Sequence, residues 1–224
     1  MVDRIIVINP NSTKNVTDAM DKAFEPLRIK GAPLIESITN SGGPPGIECQ
    51  QDADGVAIQI VNLIKKHEKR ANAFVVACFS DPGIYAAREV TKKPVFGIAE
   101  SSILTALSLG DRFGIIAILE RSIPRHLRYI RSLGLEARLA GDLAIGVGVT
   151  ALNNEVDTFA RMEDVGKELR DERGASVLIM GCAGMASYRL RLQDRLGVMV
   201  IDPSQAAVSM AVSAIQLQQT NTLI

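Results

Sequence analysis

Residues 73–83 read AFVVACFSDPG and decide the fold, because an unbroken apolar run ends there in a cysteine and a turn. The run lacks the polar–apolar alternation of a half-exposed strand and is typical of a strand buried on both faces of a parallel sheet. Asp81-Pro82-Gly83 is a strong turn signal, so the chain leaves the strand just after Cys78. Cys78 is therefore predicted at the carboxyl end of a buried strand.

Similar apolar runs alternate with helical stretches along the whole chain. Buried strands are predicted at residues 5–8, 73–77, 95–98, 114–119, 177–180 and 198–201. Helices are predicted at residues 52–67, 84–90, 123–133, 156–173 and 206–218. Strands that alternate with helices in this way predict the α/β class, with parallel sheets covered by helices on both faces.

The second half of the chain repeats the plan of the first half. Residues 177–185 read VLIMGCAGM, so Cys182 also follows an apolar run. Glu100 and Asp202 follow the next strand of each half, where they could cap helix starts or orient the cysteines. This repetition predicts two pseudo-symmetric lobes, each a mainly parallel sheet flanked by helices, with the active site in the cleft between them. The first lobe is predicted to comprise residues 1–97 plus 207–224 and the second residues 98–206.

Composition argues against several classes of function. Lys plus Arg and Asp plus Glu both number 25, so the chain lacks the basic surface that a nucleic-acid partner usually needs. No apolar run reaches the roughly 18–20 residues of a membrane helix. The N-terminus lacks a signal-peptide pattern, so we expect a cytoplasmic protein. Three widely spaced cysteines and two histidines indicate neither a disulfide framework nor a metal site.

The two strand-end cysteines are the candidates for chemistry. Ligands bind beyond the carboxyl ends of strands in open parallel sheets, and the helix starts that follow are expected to lower the pKa of both thiols. Two thiols on opposite faces of a substrate could take a proton from a carbon on one side and return one on the other. A lone cysteine is often only a small buried hydrophobe, but matched positions in both halves favour catalysis. Cys49 has no counterpart and is interpreted as structural or incidental.

Two other polar segments receive structural interpretations. Ser12 or Thr13 is predicted to cap a helix that follows the first strand. His126 lies among arginines in a helical run over residues 121–131, and this run is predicted to form a solvated helix face.

Three motifs together resemble the aspartate/glutamate/hydantoin racemase superfamily, most similar to its hydantoin and allantoin racemases. They are NPNST at residues 9–13, ACFSDPG at residues 77–83 and GCAGM at residues 181–185, and the segment at residues 122–129 also fits that branch. The resemblance implies a racemase without a cofactor, in which Cys78 and Cys182 act on one carbon of a five-membered ring. It also implies a small-molecule substrate and a homo-oligomer. The substrate-binding residues that it implies are Asn11, Ser12, Phe79, Ser80, Ala183 and Gly184.

Two departures from the family pattern bear on the substrate. Ala183-Gly184 follow the second cysteine where amino-acid racemases usually carry Thr, which argues against free aspartate or glutamate. Gly46 stands where hydantoin racemases commonly carry Ser. The expected reaction is racemisation of a 5-substituted hydantoin or a related ureide such as allantoin. An amino-acid racemase, a maleate isomerase and a non-catalytic small-molecule binding protein remain open as alternatives.

Overall fold

The backbone forms two separate parallel sheets. The computed structural model describes residues 2–152 and 155–220, and within these ranges each sheet has four strands. The first sheet has the spatial order β2-β1-β3-β4 and consists of β1 (Arg4–Asn9), β2 (Leu34–Thr39), β3 (Ala73–Val76) and β4 (Val95–Gly97). The second sheet has the order β6-β5-β7-β8 and consists of β5 (Phe113–Ala117), β6 (Leu139–Ala144), β7 (Val177–Met180) and β8 (Met199–Ile201).

The two sheets have the same topology, which confirms the predicted class of two pseudo-symmetric α/β lobes. In each sheet the first strand lies between the second and the third, and every pairing is parallel. Strands β3, β5 and β7 are buried along their whole length. Their continuous apolar sequences are the reason, because helices cover both faces of each sheet.

Helices connect the strands in chain order. Within the described ranges they are α1 (Lys14–Ala23), α2 (Gln50–His67), α3 (Ile84–Glu89), α4 (Ile98–Leu109), α5 (Ile123–Ser132), α6 (Glu155–Lys167), α7 (Arg189–Leu196) and α8 (Pro203–Thr220). The five predicted helices coincide with α2, α3, α5, α6 and α8, and α6 continues into a π-helical turn at Glu168–Glu172. No helix of the described chain is both long and apolar enough to cross a bilayer.

The helix that follows the last strand of each lobe packs on the other lobe. Helix α4 follows β4, yet its Ile103 lies in the core around Ile115 and Ile179 of the second sheet. Helix α8 follows β8, yet its Ala211 lies in the core around Val75 of the first sheet. The boundaries at 97/98 and 206/207 stay a prediction. Of the predicted lobes, residues 1, 153–154 and 221–224 lie outside the described residues.

Candidate active site

The loops that carry Cys78 and Cys182 meet at the junction of the two lobes. Cys78 follows β3, and the next residue, Phe79, is buried in the core of the second lobe. Cys182 follows β7, and the next residue, Ala183, is buried in the core of the first lobe. Each loop therefore reaches out of its own lobe, and this exchange brings the two cysteines to the same interface.

The backbone around Cys182 depends on glycine at position 181. The Gly181 N–H donates to the carbonyl oxygen of Ile116 at 2.8 Å, and a Cβ at this position would lie 2.8 Å from the same oxygen. Any larger residue would push Cys182 away from the end of the sheet. The N–H of Gly184 donates to the thiol of Cys182.

Asp81 fixes the turn that carries Cys78. Its N–H donates to the Cys78 carbonyl at 2.9 Å, and its φ of 41° lies in the left-handed region. Its carboxylate accepts from the N–H groups of Ala99 and Glu100 at 2.9 and 2.8 Å, which caps α4. Burial raises the pKa of Asp81 to about 7. The cysteine turn is thus tied to the start of the exchanged helix.

Of the two acids expected as possible helix caps, Asp202 caps a helix and Glu100 does not. Asp202 caps α8, since one of its oxygens accepts from the N–H groups of Ser204 and Gln205 at 2.7 and 3.0 Å. Glu100 lies in the first turn of α4 and forms an ion pair with Arg88 instead. The capping alternative is therefore confirmed for Asp202 and wrong for Glu100, because the carboxylate of Asp81 takes the capping position at α4. The alternative that these acids orient the cysteines stays a prediction.

Both cysteines line one cavity between the lobes. Four of the other residues predicted to bind substrate also line it: Asn11, Phe79, Ser80 and Ala183. Ser12 and Gly184 are absent from the described walls of this cavity. The Ser12 N–H donates to the Pro44 carbonyl at 2.9 Å, whereas Gly184 acts on the thiol of Cys182. The roles of all eight residues stay a prediction.

Burial raises the pKa of both thiols, so the expected lowering by helix starts is wrong for this cavity. For Cys78, burial outweighs the N–H and hydroxyl of Ser80 and the charge of Arg125, which all favour the thiolate, while Asp81 adds to the rise. For Cys182, burial, with smaller contributions from Cys78, Glu48 and Asp202, raises the pKa to about 12 against the opposing effect of the Gly184 N–H. The two thiols therefore have different electrostatic surroundings.

Arg125 and His126 line the cavity, so the prediction of a solvated helix face is wrong for these two residues. Arg125 is 9% exposed and His126 4%, because this side of α5 faces the lobe junction. The Arg125 Nε donates to the Ser80 hydroxyl at 2.7 Å. His126 Nδ1 lies 2.9 Å from a carboxylate oxygen of Asp142, and its ring meets Phe79 edge-on at 5.0 Å. The sequence carried no signal for these two positions, because their burial follows from the packing of α5.

Asn11 presents a side-chain donor to the cavity. Its Oδ1 accepts from Asn9 Nδ2 at 3.0 Å and from the Thr13 N–H at 2.9 Å, which holds the amide in one orientation. No described residue accepts from its Nδ2, so this group is available to a ligand. Thr13 is the N-cap residue of α1 as predicted, but its hydroxyl donates to the Pro45 carbonyl instead of capping.

Two loops close over the cavity, one from each lobe, and Glu48 joins them. One Glu48 oxygen accepts from the Val149 N–H at 2.9 Å, and the other pairs with Arg121. A Cβ at Gly46 would lie 2.9 Å from the Val149 Cβ, and a Cβ at Gly148 would lie 2.7 Å from Glu48 Oε1. The glycine at position 46 thus makes room for Val149, which lines the cavity.

Known proteins share this sequence and this architecture. A hydantoin racemase of Paenarthrobacter aurescens is 35% identical over 218 residues, which cover 96% of this chain and 92% of that protein. A hydantoin racemase of Rhizobium meliloti is 37% identical over 213 residues, covering 92% and 86%. The solved allantoin racemase from Klebsiella pneumoniae superposes with a TM-score of 0.91 at 30% identity, covering 96% of this chain and 89% of that one. The family model described as Asp/Glu/Hydantoin racemase matches residues 5–211, so the chain belongs to this family and is an isomerase of the racemase type.

Proposed function

We propose that the enzyme racemises a 5-substituted hydantoin or a related ureide such as allantoin, with Cys78 and Cys182 as its two proton-transfer groups. The observation that carries the proposal is that both thiols line one cavity from opposite lobes. The similarity to hydantoin racemases and to an allantoin racemase supports the substrate class. The ring carbon of a hydantoin is flanked by a neutral amide carbonyl, whereas the α-carbon of a free amino acid is flanked by an anionic carboxylate, so the ring proton is the more acidic of the two.

The reaction requires one thiolate and one thiol. The thiolate takes the proton from the ring carbon, and the electron pair of the broken C–H bond moves onto the adjacent carbonyl oxygen as an enolate. The opposite thiol then gives its proton to the other face of the carbon, which restores the carbonyl and inverts the centre. Donors that could bind the enolate oxygen include the Asn11 amide and the Arg125 guanidinium, both in the cavity wall.

The test is optical. Purified enzyme should abolish the rotation of either pure enantiomer of allantoin or of a 5-alkyl hydantoin, and the ring proton should exchange with deuterium in heavy water. The panel includes aspartate, glutamate and maleate, which report the alternative reactions of the family. Turnover of one of these with none on any ureide would replace the proposed substrate class, and inactivity on the whole panel would favour the non-catalytic alternative.

We also propose that the enzyme works in the cytoplasm, without a cofactor and as a homo-oligomer. The half-buried free thiols suit a reducing compartment, and together they supply both the acid and the base. Large apolar side chains on the surface, among them Ile58, Tyr85 and Leu190, are candidates for contacts with a second copy. Sedimentation at several protein concentrations tests the assembly, and activity after exhaustive dialysis against a chelator tests the cofactor.

A further inference from the structure

The cavity contains a buried cation without a carboxylate partner. Arg125 is 9% exposed, and no described carboxylate lies within ion-pair distance of its guanidinium. Its Nε donates to the neutral hydroxyl of Ser80, two residues after Cys78. A buried charge is costly unless an opposite charge comes close to it. An anion in the cavity would give Arg125 the opposite charge that it lacks among the described residues.

The charged groups around the two thiols differ in sign. Cys78 faces the Arg125 cation from α5, together with the N–H and hydroxyl of Ser80 from its own loop. The one carboxyl that opposes a thiolate there, Asp81, has both oxygens occupied by N–H groups of α4. Among the described residues, this is the more favourable place in the cavity for negative charge.

Cys182 has negative neighbours on several sides. Glu48 acts on it from the loop of the first lobe and Asp202 from the start of α8, and the Cys78 thiolate itself would repel a second one. Among the described neighbours that act on its pKa, the Gly184 N–H is the one that favours its ionised form. His126 also lines the cavity, but its Nδ1 is engaged with the Asp142 carboxylate. The surroundings of Cys182 therefore favour the protonated thiol.

From this arrangement we infer that the thiolate of the resting enzyme, in the fraction that is ionised, forms at Cys78 while Cys182 keeps its proton, with Arg125 as the counter-ion of the thiolate. The inference rests on the proposed function for the use of both thiols. In the first turnover Cys78 takes a proton from one enantiomer and Cys182 gives its proton to the opposite face. The proton distribution is then reversed, and turnover of the product enantiomer, or transfer through water, restores the resting form.

The first test needs no substrate. Cys49 would also react with an alkylating agent, so the experiment uses the Cys49→Ser background, where serine keeps a favourable N-cap for α2. Iodoacetamide should modify Cys78 at least about tenfold faster than Cys182 at neutral pH, because only a thiolate reacts and a pKa difference of about one unit gives that ratio. Peptide mass spectrometry gives both rates. Equal rates, or faster reaction at Cys182, would overturn the inference.

The second test assigns the cause to Arg125. Arg125→Met should slow alkylation of Cys78 about tenfold or more at neutral pH, with the difference vanishing at high pH, and Arg125→Lys should restore most of the rate. The matched control is Arg128→Met on the exposed side of the same helix, where the guanidinium donates to Gln50. An unchanged Cys78 rate in a folded Arg125→Met protein would contradict the role of Arg125. If Arg125→Met does not fold, the test uses Arg125→Lys. Alkylation of Cys78 in Arg125→Lys that is no faster than alkylation of Cys182 would then contradict the role of Arg125.

These experiments separate the inference from the proposed function. Alkylation reports the resting charge state whether or not any ureide is a substrate. A protein that alkylates preferentially at Cys78 but leaves every ureide unchanged would refute only the substrate class. A protein that racemises a ureide but alkylates preferentially at Cys182 would refute only the resting state.

Discussion

At the scale of single residues, the proposed mechanism assigns each sulfur to one face of the substrate, and each sulfur can be removed separately. Cys78→Ser and Cys182→Ser should each lower racemisation by about 10²–10⁴-fold, because a serine hydroxyl is a poor acid and a poor base near neutral pH. Each variant should still exchange the ring proton of one enantiomer, since one thiol remains. Proton NMR in heavy water, run separately on the two enantiomers, measures this. The matched control is Cys49→Ser, which should behave like the wild type, and full racemisation by Cys182→Ser would contradict the two-thiol mechanism.

The pH dependence follows from the direction of the thiol pKa shifts. Burial raises the pKa of Cys78 and raises that of Cys182 to about 12, so near neutral pH only a minor fraction of the enzyme carries the required thiolate. The value of kcat/KM should therefore rise about tenfold per pH unit through the neutral range, and level off only when Cys78 is ionised. A pH–rate profile for the free enzyme checks this. A flat profile from mildly acidic to alkaline pH would show that the thiolate is already formed and that burial does not control it.

Single residues also show how far sequence reasoning reaches. Cys78 and Cys182 were identifiable because strand patterns place residues at strand ends, and two matched strands place them at equivalent ends. Arg125 and His126 could not be identified as cavity residues. A charged run on an amphipathic helix has the same sequence pattern whether its polar side meets water or a cavity. Only the packing of α5 at the lobe junction decides which residues are buried.

At the scale of elements, the carboxyl end of β7 is set by one glycine. Gly181→Ala should destabilise the protein by about 1–3 kcal/mol, because the new Cβ would lie 2.8 Å from the Ile116 carbonyl oxygen and 3.1 Å from the Ala117 Cα. Activity should also fall, since the displaced backbone carries Cys182. Urea denaturation measures the change in free energy of unfolding.

The control for this substitution is the same change at an open site. Gly55→Ala lies in α2, where a Cβ would have no neighbour within 4 Å. It should stabilise the protein by about 0.5–1 kcal/mol through helix propensity. Equal changes in the free energy of unfolding for the two substitutions would mean that the close backbone approach at Gly181 does not affect stability.

Strands β2 and β6 and helix α4 escaped sequence prediction for different physical reasons. Strands β2 and β6 lie at sheet edges, are only partly buried and carry polar residues such as Glu36 and Asp142, so they lack a continuous apolar run. Helix α4 is apolar on several sides because it packs between both lobes, and this blurs its helical period. The central strands were predictable because they are buried on both faces. Such strands have short, continuous runs of apolar residues, which are typical of this element.

At the scale of the whole molecule, each lobe contributes helices and side chains to the core of the other, and this exchange joins them. Helix α4, helix α8, Phe79 and Ala183 each leave the lobe that precedes them in sequence and pack in the core of the other. A cavity between two lobes would ordinarily widen and narrow as they move, but here each cysteine loop is embedded in both cores. The distance between the thiols is therefore set by the packing of buried side chains, whereas the loops over the cavity are joined by the contacts of Glu48.

Glu48 is the residue that joins these loops. It acts both as a hydrogen-bond acceptor and as a negative charge, and two substitutions can separate these effects. Glu48→Ala removes both the acceptor for the Val149 N–H and the negative charge, whereas Glu48→Gln keeps an acceptor and removes only the charge. Loss of a hydrogen bond to a charged group costs about 1.5 kcal/mol or more, so Glu48→Ala should raise KM about tenfold with a smaller change in kcat. Glu48→Gln should keep KM near the wild-type value. Both variants should lower the pKa of Cys182, because the charge that opposes its thiolate is gone.

Steady-state kinetics gives KM and kcat, and the pH dependence of Cys182 alkylation gives the shift in its pKa. Hydrogen exchange should rise at Val149 in Glu48→Ala and not in Glu48→Gln, which ties the KM effect to loop closure. Glu120→Ala, a surface carboxylate beside Arg121 in sequence, is the control and should change none of these quantities. Wild-type KM together with unchanged exchange at Val149 in Glu48→Ala would mean that the loops close over the substrate without this contact.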